Sequence, residues 1–118
     1  MNAPGHPVAG KLLTCLTILL ILMLVGCQGP AERKAHHMAL GRQYLTQQKY
    51  AKAGVEFRNA LQITPNDIEA RYLSAFVFER LGNLTEAVGA YQSVLNVKSD
   101  YLPALARMGR LVLLYAGP

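Results

Sequence analysis

Residues 40–65 read LGRQYLTQQKYAKAGVEFRNALQITP, and the chain repeats the pattern of this stretch 34 residues later. Small residues return at matching positions, as Ala53 does at Ala87, and aromatic residues do the same, as Phe57 does at Tyr91. Repetition at a fixed period of this length predicts a fold built from stacked copies of one structural unit.

Each unit has the periodicity of two helices. Apolar residues recur three, four and seven positions apart, which indicates amphipathic helices. Residues 47–49 interrupt the first unit, and Gly82 with Asn83 interrupts the second unit at the same place. Asp67 is predicted to cap a helix, and Asn83 with Glu86 is predicted to form a capping box. We therefore predict helices over residues 32–47, 50–63, 67–81, 84–97 and 102–115, and no strands.

The residues at these positions resemble the tetratricopeptide repeat motif. Residues 34–67 form the first unit, 68–101 the second and 102–118 a partial third. The matching residues of the first unit are Leu40, Gly41, Tyr44, Ala53, Phe57, Ala60 and Pro65, with His37 in place of the usual Trp. The second unit keeps Ala75, Phe78, Gly82, Ala87 and Tyr91 and departs at Ser74, Val94 and Ser99. The resemblance implies an all-α solenoid of antiparallel helix hairpins with about two and a half repeats.

A different pattern precedes the repeats. An uncharged apolar run extends from Leu12 to Val25, follows Lys11 and leads into Gly26 and Cys27. As a helix the run would extend about 21 Å, against about 30 Å for the hydrocarbon core of a bilayer. The order of charged, apolar and small residues therefore favours an export signal over an uncleaved membrane anchor.

The sequence Leu24-Val25-Gly26-Cys27 resembles the lipobox of bacterial lipoproteins. The resemblance implies that residues 1–26 are a signal peptide and that Cys27 carries a diacylglycerol and an N-acyl chain. Residues 27–31 would then form the lipidated N-terminus and a short linker, and residues 32–118 the repeat domain. Gln28 rather than Asp after the cysteine implies the outer membrane, on its periplasmic side. No cofactor is expected apart from this covalent lipid.

Composition argues against several functions. The chain contains 12 Lys and Arg residues and 7 Asp and Glu residues, and of the basic residues only Lys11 precedes Cys27. The segment from Cys27 onward therefore has a mildly positive net charge, and its charged residues are scattered along the sequence. A nucleic-acid partner is therefore not expected. Asp67 and Asp100 stand at predicted helix starts, where a cap or the helix dipole explains them. The adjacent His36 and His37 lack a third ligand, so we predict no metal site. The histidines are not paired with a Ser or Cys nucleophile, so we predict no catalytic residues and no enzymatic activity.

The remaining function is binding. In tetratricopeptide arrays the first helix of each unit lines a concave groove, and the resemblance implies the groove positions of this chain. These are Met38, Arg42, Leu45 and Thr46 in the first unit, Glu69, Tyr72, Phe76, Glu79 and Arg80 in the second, and Ala106, Arg110, Leu113 and Leu114 in the third. Aromatic side chains flanked by Arg42 and Arg110 would suit a peptide with apolar anchors and acidic residues. Inter-repeat packing is the alternative interpretation for Phe76.

The helix predicted over residues 102–115 is apolar on most of its circumference. A helix of this kind requires burial on more than one side. Either the chain is a shortened form of a longer array, which we favour, or the exposed face docks on another chain. We expect the isolated 27–118 segment to self-associate or to be marginally stable.

These inferences together predict a lipid-anchored scaffold of the bacterial cell envelope. The resemblance extends to tetratricopeptide lipoproteins that support pilus assembly, exopolysaccharide export or surface-protein sorting. The alternative is an accessory adaptor that recruits a cell-wall enzyme. The identity of the protein partner is not encoded in any motif of the sequence.

Overall fold

The computed structural model describes residues 7–25 and 28–117, and within them every regular element is an α-helix. The helices are α1 (Pro7–Val25), α2 (Pro30–Thr46), α3 (Tyr50–Ile63), α4 (Ile68–Arg80), α5 (Leu84–Val97) and α6 (Leu102–Tyr115). The predicted all-α helical repeat is confirmed, and five of these helices agree with the predicted ranges to within two residues at either end.

Each helix from α2 to α5 packs on the next one along the chain. The connections between them are short, which makes neighbouring helices antiparallel. Helices α2 and α3 form the first hairpin, α4 and α5 form the second, and α6 packs on α5. The helices are thus stacked in sequence order, as expected for a solenoid.

The two helices of the first hairpin pack closely at a glycine. Gly41 of α2 lies directly against the ring of Phe57 on α3, and a Cβ at this position would overlap the Cε1 atom of the ring. Phe57 is completely buried, together with Ala53 and Ala60. The two helices approach closely through these small residues, because the ring occupies the space that any side chain at Gly41 would need.

The turns inside the two hairpins have the same backbone geometry but different residues. Gly82 has a φ of +78°, and Gln48, one repeat earlier, has a φ of +56°. Both lie in the left-handed region, which glycine adopts without steric cost and other residues adopt at a cost of about 1–2 kcal/mol. The turn of the first hairpin is therefore the more strained of the two.

The predicted helix caps differ in outcome. The carboxylate of Asp67 accepts a hydrogen bond of 2.8 Å from the backbone N–H of Ala70 and an ion pair from Lys34, so its predicted cap is confirmed. Although burial acts to raise it, the pKa of Asp67 is lowered by the hydrogen bonds from Lys34 and Ala70 and by the charge of Lys34. The predicted capping box at Asn83 is wrong, because this side chain makes no capping hydrogen bond.

Helix α6 leaves much of its apolar surface uncovered. Its N-cap residue is Tyr101, which makes no side-chain cap bond, and Asp100 lies one residue before this N-cap. Ala104 and Leu111 are buried against α5, whereas Leu102, Val112 and Leu113 are exposed. The prediction of a helix with more apolar surface than its neighbour covers is confirmed by these exposures.

Helix α1 contains the apolar run of the predicted export signal, and its Cys15 thiol is exposed. Gly26 and Cys27, the predicted cleavage and lipidation positions, lie outside the described residues, as do residues 1–6. Within the part of the chain that the structure describes, none of the helices combines the length and the apolar character needed to cross a bilayer.

Candidate functional site

Helices α2, α4 and α6 are the first helices of the three units, and their polar side chains meet across the repeats. Arg42 on α2 forms an ion pair with Glu69 on α4, and Arg107 on α6 forms one with Glu79 on α4. These contacts bring side chains of the three helices together on one surface, which we call the first-helix surface. It is the surface on which the sequence predicts a binding groove.

The Arg42–Glu69 pair is the accessible part of this surface. The two side chains are 49% and 55% exposed. An ion pair with this exposure contributes at most about 1 kcal/mol to stability. Both groups can therefore exchange their mutual contact for a contact with a charged partner at little energetic cost.

Glu79 is held by its own chain. Its side chain is only 15% exposed, and Arg107 donates a hydrogen bond of 2.9 Å to its Oε1 atom. The hydroxyl of Tyr91 donates to the Oε2 atom at 2.7 Å. Burial and the adjacent carboxylate of Glu79 raise the pKa of Tyr91, which keeps this hydroxyl protonated as the donor. With both oxygens engaged, Glu79 joins α4 to α5 and α6, and its predicted role as a groove residue is not supported.

The two predicted aromatic residues are half-buried rather than exposed. The guanidinium of Arg107 lies 4.8 Å from the ring centroid of Phe76. The ring of Tyr72 packs against Tyr91 and Tyr101 at centroid distances of 5.9 and 5.6 Å. The Phe76 ring therefore packs against the next unit, as the alternative interpretation for Phe76 proposed, whereas the Tyr72 ring packs against residues of its own unit.

Met38 is not a groove residue. It is 4% exposed and belongs to the buried cluster that contains Phe57 and Ala53. The prediction is wrong because Met38 lies one turn before Gly41, on the side of α2 that packs against α3. Leu45 is half-buried at the edge of the same cluster, and the hydroxyl of Thr46 donates to the backbone carbonyl of Gln43 within its own helix.

Arg80 is also engaged within the chain. Its Nε and Nη2 atoms donate to the hydroxyl of Tyr50 at 3.1 and 2.9 Å, and its guanidinium lies 5.1 Å from the Tyr50 ring centroid. Because Tyr50 begins α3, Arg80 joins the second unit to the second helix of the first unit, and its predicted place in the groove is not supported.

The third unit contributes the least constrained groove positions. Arg110 is exposed and takes part in none of the ion pairs found among the described residues. Ala106, Leu113 and Leu114 are exposed on the same helix. Sequence reasoning missed Arg107, which lies one turn before Arg110, because spacing alone does not decide which of two arginines reaches Glu79.

The titratable residues of the described ranges do not assemble a metal centre, since no cluster of three His, Cys, Asp or Glu side chains occurs in them. His37, the predicted replacement for the usual Trp, hydrogen-bonds through Nδ1 to Glu56 on α3 at 2.7 Å. This contact lies between the two helices of the first hairpin and gives His37 a packing role.

Comparison with known proteins agrees with this architecture. The sequence profile described as tetratricopeptide repeat matches residues 44–112, more than half of the chain. The chain is 35% identical over 78 residues to human superkiller complex protein 3 and 35% identical over 77 residues to tetratricopeptide repeat protein 37 of Xenopus laevis. These matches cover 66% and 65% of the chain but 5% of each relative. The Hsp70-Hsp90 organising protein of Plasmodium falciparum is 30% identical over 83 residues, which cover 67% of the chain and 15% of that protein.

Proposed function

Because the chain belongs to the tetratricopeptide repeat family, we propose that it is a non-catalytic scaffold that binds a segment of another protein on the first-helix surface. The observation that carries this proposal is the set of accessible side chains there. Arg42, Glu69 and Arg110 offer charge, and Leu113 and Leu114 offer exposed apolar area beside Arg110. A segment with apolar anchors and carboxylates complements this set.

We further propose that the scaffold is attached to a membrane of the bacterial cell envelope through lipid on Cys27. The support is the sequence of the segment from Lys11 to Cys27, which has the order of an export signal and ends in a lipobox-like motif. Two or more acyl chains hold a protein on a bilayer far more firmly than one chain does. Confinement would raise the local concentration of the scaffold for envelope partners. Assembly of a pilus, an exopolysaccharide exporter or sorted surface proteins is the proposed context.

The binding surface is tested by charge reversal. Arg110→Glu removes the accessible cation of the third unit, whereas Arg58→Glu makes the same charge change at an exposed position of α3, outside the first-helix surface. Partners are captured on tagged full chain from detergent-solubilised membranes and quantified by mass spectrometry. We expect a partner that is retained by the wild type and Arg58→Glu and lost with Arg110→Glu. Equal capture by all three proteins would place binding elsewhere.

The anchor is tested separately. Labelled palmitate is expected to enter the wild-type protein and not Cys27→Ala, and the variant is expected to lose its lipid-dependent membrane fractionation. Cys15→Ala, which changes an exposed thiol of α1, is the matched control and is expected to keep the label. Labelling of Cys27→Ala would exclude lipidation at this residue, while leaving the binding proposal intact.

A further inference from the structure

A groove runs along the side of α4 that lies opposite to the first-helix surface. Helix α3 forms one wall of this groove and α5 forms the other, so we call it the α3–α5 groove. Its two parts, of about 420 and 340 Å³, are continuous, because Leu61, Ser74 and Phe78 line both of them. A helix that continued the stack would pack on α2 or on α6, beyond these walls, and would leave the groove open.

Two small residues widen the α3–α5 groove relative to a strict repetition of the units. Gly54 on α3 stands where the second unit has Val88, and it lies close to α4, since a Cβ at this position would be 3.2 Å from the Cγ1 atom of Val77. On α4, Ser74 stands where the first and third units have leucine and methionine. Larger side chains at these two positions would fill part of the groove.

The charge of the α3–α5 groove comes from two arginines. Arg58 is exposed and takes part in none of the ion pairs found among the described residues. Arg71 donates from Nε to the carbonyl of Pro65 at 2.8 Å and from Nη2 to the side chain of Asn66 at 3.0 Å, which leaves its other N–H groups for an anion. None of the described residues that line the groove is acidic, and Glu86, the single acidic residue of α5, lies outside it. The groove therefore complements negative charge.

The rest of the lining combines apolar side chains with groups that form hydrogen bonds. Val77 and Leu81 line the part of the groove that ends at Asn83. The Asn83 side chain makes no capping bond, so its amide is available to donate to a ligand and to accept from it. Ser74 and Ser93 donate to carbonyls of their own helices, and their oxygens can still accept. A peptide backbone uses such groups, whereas a lipid acyl chain leaves them unpaired.

We propose that the α3–α5 groove binds an extended segment of a partner protein that carries an apolar side chain on one side of two carboxylates. The apolar side chain packs on Val77 and Leu81, and the carboxylates pair with Arg58 and Arg71. Pro65, which holds Arg71, lies about 10 Å from Arg58 along the direction of α3, at a rise of about 1.5 Å per residue. About three residues of an extended chain span this distance, so the two acidic residues stand about three positions apart.

A second copy of this chain does not offer such a segment. Four of the 7 Asp and Glu residues are already paired with basic side chains of their own chain, namely Glu56, Asp67, Glu69 and Glu79. The other three, Glu32, Glu86 and Asp100, stand far apart along the sequence. No short stretch of the chain therefore carries two available carboxylates, which favours a different protein as the occupant.

Labelled synthetic peptides test the proposal directly. The test peptide has a phenylalanine and a leucine followed by two aspartates three positions apart, and a second peptide has the reverse order, which covers both chain directions. Binding to the full chain in mild detergent is measured by fluorescence anisotropy, with detergent alone as the blank. We expect saturable binding of one of them that weakens about fivefold or more when both aspartates are replaced by asparagine. No saturable binding of either peptide would overturn the proposal.

Matched charge reversals locate the site. Arg58→Glu is expected to weaken binding of the peptide about fivefold or more, because it replaces attraction by repulsion. Arg110→Glu makes the same change at an exposed arginine of the first-helix surface. It is expected to change binding by less than about twofold at physiological ionic strength, where distant charges are screened. Equal effects of the two variants would mean that the peptide responds only to net charge, and would overturn the proposal.

A second pair of variants tests the groove without changing charge. Ser74→Leu places in the groove the side chain that the first unit has at this position, so it is expected to weaken binding of the peptide while the chain stays folded. Ser99→Leu makes the same change at an exposed position outside the groove and is expected to leave binding unchanged. Circular dichroism confirms that both variants are folded. Unchanged binding by folded Ser74→Leu would contradict the proposal.

The other occupants give different results, and each of them overturns the proposal. Peptide binding that is lost with Arg110→Glu and kept with Arg58→Glu would place the segment on the first-helix surface. A dimer detected by analytical ultracentrifugation and dissociated by Arg58→Glu would assign the groove to a second copy. Saturable binding of dihexanoyl phosphatidylglycerol that is lost with Arg58→Glu, without peptide binding, would assign it to a lipid headgroup. The groove and the first-helix surface are tested through different arginines, and neither test depends on Cys27, so the proposals fail separately.

Discussion

Helices α2 and α6 occupy the same place in successive repeats, yet their surroundings differ. Gly41 of α2 is buried under Phe57, whereas Gly109 of α6 is exposed. Helix α4, between them, is capped by Asp67, whereas the corresponding Tyr101 of α6 provides no cap bond. The comparison teaches that two neighbours cover a first helix of this fold: the preceding helix buries one side, as α5 buries Ala104 and Leu111, and the following helix buries the side that carries the glycine, as α3 does at Gly41.

The largest expected effect is at the ring that covers α2. Phe57→Ala removes a fully buried side chain and leaves a cavity, so the free energy of unfolding should fall by about 3–5 kcal/mol. Leu113→Ala on the exposed part of α6 should change it by less than about 0.5 kcal/mol, since Leu113 is 80% exposed. Denaturant melts of the full chain followed by circular dichroism measure both. Similar losses would show that α6 is covered in solution.

The two glycines are expected to respond with opposite signs. Gly41→Ala places a methyl group against the Phe57 ring and should lower stability by about 1–3 kcal/mol. Gly109→Ala meets open space and should raise stability by about 0.5–1 kcal/mol, because alanine favours the helix. Chemical denaturation of both variants measures the difference. A destabilising Gly109→Ala would mean that another group occupies that position in the free protein.

The Asp67 cap of α4 should contribute a smaller, pH-dependent amount to the free energy of unfolding. Asp67→Ala should cost about 1 kcal/mol through loss of the cap, whereas Asp67→Asn keeps a capping side chain and removes only the charge that faces Lys34. The pKa of Asp67 is lowered in the folded state, so the charge stabilises the fold above the unfolded pKa of about 3.9 and this contribution disappears as the pH falls below it.

Thermal melts of the wild type and Asp67→Asn between neutral and acidic pH measure this linkage. The wild type should be the more stable protein at pH 7, and the two melting temperatures should converge in acid. A constant difference across the range would show that the Lys34 ion pair does not stabilise the fold. No comparable effect is expected at the start of α6, where Tyr101 provides no charge.

The smallest expected effect concerns the hairpin turns. Gln48→Gly should raise the free energy of unfolding by a few tenths to about 1 kcal/mol, because relief of the left-handed strain is partly offset by the freedom of glycine in the unfolded chain. Gly82→Ala should lower it by about 1 kcal/mol for the same steric reason. Differential scanning calorimetry measures both changes. Equal signs would contradict the shared turn geometry.

The sequence predicts which residues of the candidate site lie on the first helices better than it predicts which side chains contact one another. Arg42, Glu69 and Arg110, which the register of the repeat assigns to the groove, lie on accessible parts of the first helices. It did not reveal that Met38 turns toward Phe57. A helix periodicity identifies an apolar stripe, but the edge of that stripe depends on how closely the neighbouring helix approaches, which Gly41 permits here.

The sequence by itself determined the helices, their hairpin order and the small residues at which they meet, because these follow from local spacing and from side-chain size. Only the tertiary structure decided which long side chains pair: Arg80 with Tyr50, and Arg107 with Glu79. Flexible arginine side chains reach several neighbours from one backbone position, and each contact differs from its alternatives by a small free energy. Which partner each arginine contacts therefore depends on the distances between helices, and these distances are set only after the repeats have stacked.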